Sequence, residues 1–95
     1  MPQVIQLTLF TKPGCHLCDE AKMVLDTVVS QIRSENAGVW ASVQFSIDEK
    51  NILEDQGLVN LYSEEIPVLQ INGETHAYWR IDPERLLQAL RSKIL

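Results

Sequence analysis

Cys15 and Cys18 are the only cysteines in the sequence, spaced as Cys15-His16-Leu17-Cys18. Leu7, Leu9 and Phe10 precede them as the end of an apolar run, and a helical pattern follows. Two thiols three residues apart on a first helical turn can bridge, so the pair suits two-electron exchange. The unpaired N–H groups and the positive dipole end of a helix both favour a thiolate, the reactive form. The sulfur nearer the helix start receives most of that field. Cys15 is therefore the expected attacking group, and Cys18 the group that resolves the mixed disulfide. His16 between them, and Lys12 upstream, can add positive charge beside the thiolate. Asp19 and Glu20 oppose it if they lean towards the sulfurs.

The elements that must position this pair follow from periodicity. Val4, Ile5, Leu7 and Leu9 make a nearly continuous apolar run, which predicts a strand over Gln3 to Phe10 buried on both faces. Pro13-Gly14 is a turn. Leu17, Ala21, Val24, Leu25, Val28 and Ile32 trace one face of a helix from about His16 to Ser34, stopped by Glu35-Asn36-Ala37-Gly38. Val43, Phe45 and Ile47 alternate with polar residues, predicting a second strand from about Ala41 to Ile47. Asp48 is then the expected cap of a helix containing Ile52, Leu53 and Val59, weakened by Gly57.

Pro67 to Ile71 reads as a third strand, Asn72-Gly73 as a type I′ hairpin turn and Glu74 to Trp79 as a fourth strand. Asp82-Pro83 supplies an N-cap and a proline at the first helical position, and Leu86, Leu87, Leu90 and Ile94 form the apolar face of a last helix. The order is β-α-β-α-β-β-α. A helical crossover between the first two strands implies a parallel, right-handed pair.

With 95 residues, 45% of them hydrophobic and 22% charged, the chain is expected to form one soluble domain over residues 1–95. The net charge of -5, from 8 basic and 13 acidic residues, argues against a nucleic-acid partner, which demands clustered Lys and Arg. No secretory signal and no stretch approaching the ~20 apolar residues of a membrane span is visible, so a cytoplasmic monomer without membrane contact is expected.

Other uses of the thiols compete. A structural zinc needs four ligands, and beside the two cysteines stand His16, inside the same loop, and His76, in the hairpin. A closed zinc site within one chain is therefore not expected. Cu(I) carriers of ferredoxin-like fold also place a C-x-x-C between a first strand and helix, but they run β-α-β-β-α-β and carry Met where Pro13 stands. A thiol-based metal module, including zinc or an iron–sulfur cluster bridged between chains, stays open as an alternative, as does a redox-inactive interaction domain. A pair of inert buried thiols is the blandest reading. Trp40 and Trp79 read as partly buried aromatics, and Glu64-Glu65 as a solvated loop.

Several blocks together resemble the thioredoxin-like superfamily, and within it a small glutaredoxin-like family. They are Leu9-Phe10-Thr11-Lys12-Pro13-Gly14-Cys15-His16-Leu17-Cys18, then Ile47-Asp48, Ile66-Pro67-Val68-Leu69, Asn72-Gly73 and Trp79 to Asp82. The resemblance implies an α/β fold whose four-stranded mixed sheet has the order 2-1-3-4 with helices on both faces. It further implies a cis Ile66–Pro67 bond lying against the cysteines, with the Ile66 backbone free to pair with an extended substrate. Lys12 would help hold a glutathione carboxylate and the thiolate. No resident cofactor or metal is implied; a disulfide-bearing protein or glutathione would be the partner. Two departures stand out. Tyr78-Trp79-Arg80-Ile81-Asp82 replaces the Gly-Gly and nearby Asp by which glutaredoxins let glutathione approach, and Cys-His-Leu-Cys replaces Cys-Pro-Tyr-Cys. Trp79 would then lie near the site, and Asp82 could meet an amine, although helix capping is its simpler role.

Overall fold

The computed structural model describes residues 3–34 and 43–93. The helix stop at 35–38, Trp40, the predicted start of the second strand at Ala41, and Ile94 lie outside them. The first strand, β1 (Gln3–Thr11), occupies the sheet interior and pairs on both sides. Its Ile5, Leu7 and Leu9 point into one buried layer and Phe10 into another. The expectation that Val4 is buried too does not hold: it is 53% exposed, because it shares the face of Phe10, whose layer does not reach that end of the strand, whereas Ile5 on the other face is fully buried.

Helix α1 (His16–Ser34) follows, with the predicted bounds. Ala21, Leu25, Val28, Val29 and Ile32 are its buried stripe, and Val24 lies half-buried at the margin. Strand β2 (Val43–Asn51) runs parallel to β1, from Gln3 opposite Val43 to Thr11 opposite Asn51. It therefore extends past the predicted end at Ile47. The alternation fades after Ile47, yet backbone pairing with β1 continues, so tertiary pairing overrides the local pattern.

That extension moves the cap. Asp48 sits in the strand and accepts a bond from Gln6 Nε2 at 2.9 Å; it caps no helix. Asn51 Oδ1 accepts from Leu53 N–H at the start of a 3₁₀ turn (Ile52–Glu54), and Asp55 Oδ1 accepts from Gly57 N–H at the start of α2 (Gln56–Tyr62). Gly57 thus lies in the first turn, where its flexibility harms the helix less than in mid-helix.

Strand β3 (Val68–Ile71) pairs antiparallel with β1 and with β4 (Glu74–Tyr78), giving the sheet order β2-β1-β3-β4. Asn72 and Gly73 have φ of +52° and +84°, as a type I′ turn requires. Asn72 also exchanges bonds with Gln6 of β1: its N–H donates to the Gln6 C=O and its Oδ1 accepts from the Gln6 N–H. Both hairpin strands are one residue shorter than the sequence predicts, with Pro67 before the first and Trp79 after the second.

Helix α3 (Pro83–Ser92) starts as expected, with Asp82 Oδ1 accepting from the Glu84 and Arg85 N–H groups and Pro83 in the first turn. Leu86 and Leu90 of α3, with the α1 stripe, bury the Ile5–Leu7–Leu9–Leu69–Ile71 face of the sheet. On the opposite face Phe10, Ile52, Ile66 and Val68 pack with Leu58, Val59 and Tyr62 around Cys18. Helices thus cover both faces, and the cysteines belong to the smaller layer.

Candidate active site

Cys15 immediately precedes α1, in the N-cap position. Its C=O accepts the first helical bond, from Asp19 N–H at 3.3 Å, and its Sγ accepts from the Cys18 N–H at 3.1 Å. The sulfur thus occupies the place that a capping Ser or Asp oxygen takes at other helices, facing N–H groups that favour negative charge. Gly14 just before it has φ of +77°, a conformation that glycine adopts without strain, and this lets the loop turn into the helix.

Cys15 and Cys18 are joined as a disulfide, with Cα atoms 5.2 Å apart. Their surroundings differ. Cys18 is 1% exposed and packed in the apolar layer, whereas Cys15 is half-buried at its margin. The Ile66–Pro67 peptide is cis, Ile66 belongs to the same apolar layer as the cysteines, and Pro67 is fully buried. The Ile66 N–H donates to the Tyr62 C=O at 3.1 Å. Strand-like pairing of a substrate would therefore have to use the Ile66 carbonyl.

The remaining sequence candidates divide. His16 is exposed and its Nε2 lies 3.5 Å from Glu20 Oε1, so its ring is directed to a carboxylate one turn on. Asp19 lies 3.9 Å from Lys22 Nζ. Both acids that threatened the thiolate are thus turned towards basic groups. Lys12 is exposed and lines a hollow of about 280 Å³ with Pro13, Gly14 and Asn51, beside the cysteine loop. Asp82 is a helix cap, as its simpler role required.

Trp79 is partly buried, at 56% exposed, but its backbone is unexpected: a φ of +68° is rare for a bulky residue and costs about 1–3 kcal/mol. The Arg80 N–H donates to the Tyr78 C=O at 3.0 Å, closing a three-residue turn around it. The Trp79 N–H donates to the carbonyls of Pro67 and Glu65, and its Nε1–H to the Glu64 C=O at 2.8 Å. Glu64 and Glu65 are exposed as expected, but their backbone anchors the tryptophan.

Sequence reasoning misses a polar cluster beside the site. Lys22 Nζ lies 2.9 Å from Glu49 Oε2, which also accepts from Thr11 Oγ1 at 2.8 Å. Ending β2 at Ile47 hides the signal, since Glu49 reaches Lys22 and Thr11 only from the strand extension. The bond to Lys22 and the smaller one to Thr11 hold the Glu49 carboxyl below its ordinary value, against a desolvation that raises it. The Lys22 ammonium is raised in turn, chiefly by Glu49. Glu49 therefore contributes stability that is present above about pH 4.5 and lost as pH falls through its lowered value. Glu49→Gln is expected to flatten the acid limb of the stability profile, read as urea midpoints between about pH 6 and pH 3. Parallel wild-type and variant profiles would rule the linkage out. His76, half-buried on β4, is lowered mainly by burial and further by Arg85.

Among the described residues no group of three or more His, Cys, Asp and Glu is arranged to hold a metal ion, and no helix is long and apolar enough to cross a membrane.

A four-stranded β2-β1-β3-β4 sheet, a disulfide at the start of α1 and a cis Ile66–Pro67 bond whose Ile66 lies in the cysteine layer define a thioredoxin-fold protein with a redox-type site. Residues 6–91 match the family model described as Glutaredoxin-like domain (DUF836), and the chain belongs to that family. An uncharacterized protein of Mycobacterium tuberculosis is 26% identical over 81 residues, covering 85% of this chain and 77% of its own. The X-ray structure of target protein XcR50 from X. campestris is 30% identical with a TM-score of 0.65, covering 90% and 96% of the two chains. Fold alone is shared with Ne2328 from Nitrosomonas europaea, at 21% identity, TM-score 0.70 and 94% of each chain. The same holds for a mutant thioredoxin from Halobacterium salinarum, at 19% identity, TM-score 0.61, and 95% and 74% coverage.

Proposed function

We propose that the protein is a thiol–disulfide oxidoreductase in which Cys15 attacks and Cys18 resolves. One observation carries the reading: the two bridged sulfurs are unequally placed, Cys15 half-buried at the helix N-cap and Cys18 buried behind it. An incoming disulfide meets Cys15 first, and the thiolate formed there is stabilised by the helix N–H groups. Cys18, close enough to bridge, closes the cycle. A protein dithiol or glutathione would recycle the pair. Such cycling suits the reducing cytosol, where thiols serve catalysis more often than stapling.

The test is a trapping experiment. Cys18→Ser, reduced and mixed with a disulfide substrate, is expected to accumulate a mixed disulfide through Cys15, seen as one adduct mass per chain. No adduct at Cys15, together with alkylation of the wild-type thiols no faster than a free thiol at neutral pH, would remove the enzymatic reading.

A further inference from the structure

Strand β4 runs out into two consecutive exposed aromatic residues, Tyr78 and Trp79, 54% and 56% exposed. Their rings meet edge to face with centroids 6.2 Å apart. An exposed indole is ordinarily free to turn, but this one is pinned at Nε1 by the Glu64 carbonyl and at its backbone by Pro67 and Glu65. The strained φ of Trp79 is the conformation in which it is held. A large apolar face that is both exposed and immobilised is preorganised for binding, because little freedom is left to lose. Strain of this kind concentrates at functional positions.

The face adjoins the cysteine loop through one residue. Leu17, the third residue of Cys15-His16-Leu17-Cys18, joins Tyr78, Trp79 and Arg80 around an open hollow of about 340 Å³. Arg80 has no carboxylate within 4.0 Å among the described residues. Whatever cysteine bonds to Cys15 brings its neighbouring residues to this wall. The lining asks them for apolar bulk, and the Arg80 guanidinium asks for a carboxylate at the rim.

We infer that the hollow seats a large apolar side chain of a partner protein, carried within about three residues of the exchanging cysteine and next to an acidic residue that meets Arg80. Tyr78 and Trp79 are then the specificity-determining residues. The inference rests on the exchange reading and names its substrate class: protein disulfides in an apolar, acidic context. Glutathione, with carboxylates but no apolar side chain, fills the hollow poorly. In the step itself the Cys15 thiolate attacks the partner's disulfide, one partner sulfur leaves as thiolate, and the Cys15–partner bond forms. The Cys18 thiolate then breaks that bond, forming Cys15–Cys18 and releasing the second partner thiolate. The partner disulfide gains two electrons and the Cys15–Cys18 dithiol loses them.

Single-turnover oxidation of the pre-reduced protein tests this, with three oxidants compared: a peptide disulfide carrying Phe and Asp beside Cys, the same peptide with Gly at both places, and glutathione disulfide. The Phe-Asp peptide is expected to react at least about tenfold faster than the other two, as one apolar side chain in a fitted pocket allows. Trp79→Ala should bring the ratio of the two peptide rates close to one. Tyr78→Ala should lower the same ratio without removing the Trp79 anchors, and so guards against a folding defect in the first variant. Equal rates in the wild type, or a preference that survives both substitutions, overturn the docking inference while exchange itself stands. Absence of reaction with all three oxidants overturns both.

Discussion

Cys15→Ser is expected to abolish disulfide exchange, lowering the rate by on the order of a thousandfold or more, as loss of a nucleophile does. Serine at the N-cap still accepts the helix N–H, so the fold should survive: Ser is a better capping residue than Cys. What disappears is the thiolate. The contrast with Cys18→Ser makes the expectation specific. That variant keeps the first chemical step and stalls at the mixed disulfide, so its initial adduct forms while turnover stops. The asymmetry follows from placement, since Cys18 is 1% exposed and an incoming disulfide cannot reach it before Cys15. Rapid-mix alkylation or chemical quench followed by mass analysis separates the two steps. Equal loss of adduct formation in both variants would mean that the sulfurs share the attacking role.

The second large effect concerns the apolar layer that holds the pair. Phe10→Ala is expected to cost about 3–5 kcal/mol of stability, the range for truncating a buried aromatic. Phe10 is 6% exposed, packs with Cys18, Ile52, Ile66 and Val68, and its ring centroid lies 4.9 Å from that of Tyr62. Tyr62 is anchored separately by the Gln70 Nε2 bond to its hydroxyl at 3.2 Å, so it cannot simply collapse into the space left behind. Met23→Ala is the matched control: Met23 is 69% exposed on α1, and its truncation should change stability by less than about 0.5 kcal/mol. Urea unfolding of the oxidised proteins measures both. A loss below about 1 kcal/mol for Phe10→Ala would contradict the packing of this layer. Because the layer backs the cysteines, the variant should also let Cys18 react with a small alkylating probe in the reduced state, where the wild type protects it.

Legibility is uneven for physical reasons. The α1 stripe, the Asn72-Gly73 turn and the Asp82-Pro83 cap are local signals, and the structure matches each of them closely. The end of β2 is not legible, because Asp48, Glu49 and Lys50 carry no alternation and are held in the strand by pairing with Thr8, Leu9 and Phe10. With that end misplaced, the Lys22–Glu49–Thr11 cluster stays hidden, since its members lie on three elements. The anchoring of Trp79 is hidden for the same kind of reason. Its neighbours in the chain say nothing of the carbonyls of Glu64, Glu65 and Pro67 that fix it.

The sequence alone determined the thiol pair and its helix-start position, because a C-x-x-C after Pro-Gly and before an amphipathic stripe is a short-range pattern. It also determined the expected order of attack, which depends on the field of one helix end. Only the tertiary structure decided that Cys18 is sealed and Cys15 reachable, that Ile66 spends its N–H on the Tyr62 carbonyl, and that His16 faces Glu20. It also put Leu17 and Trp79, far apart in the chain, on one hollow. Burial and juxtaposition depend on which distant segments the sheet brings together, and no local spacing encodes that.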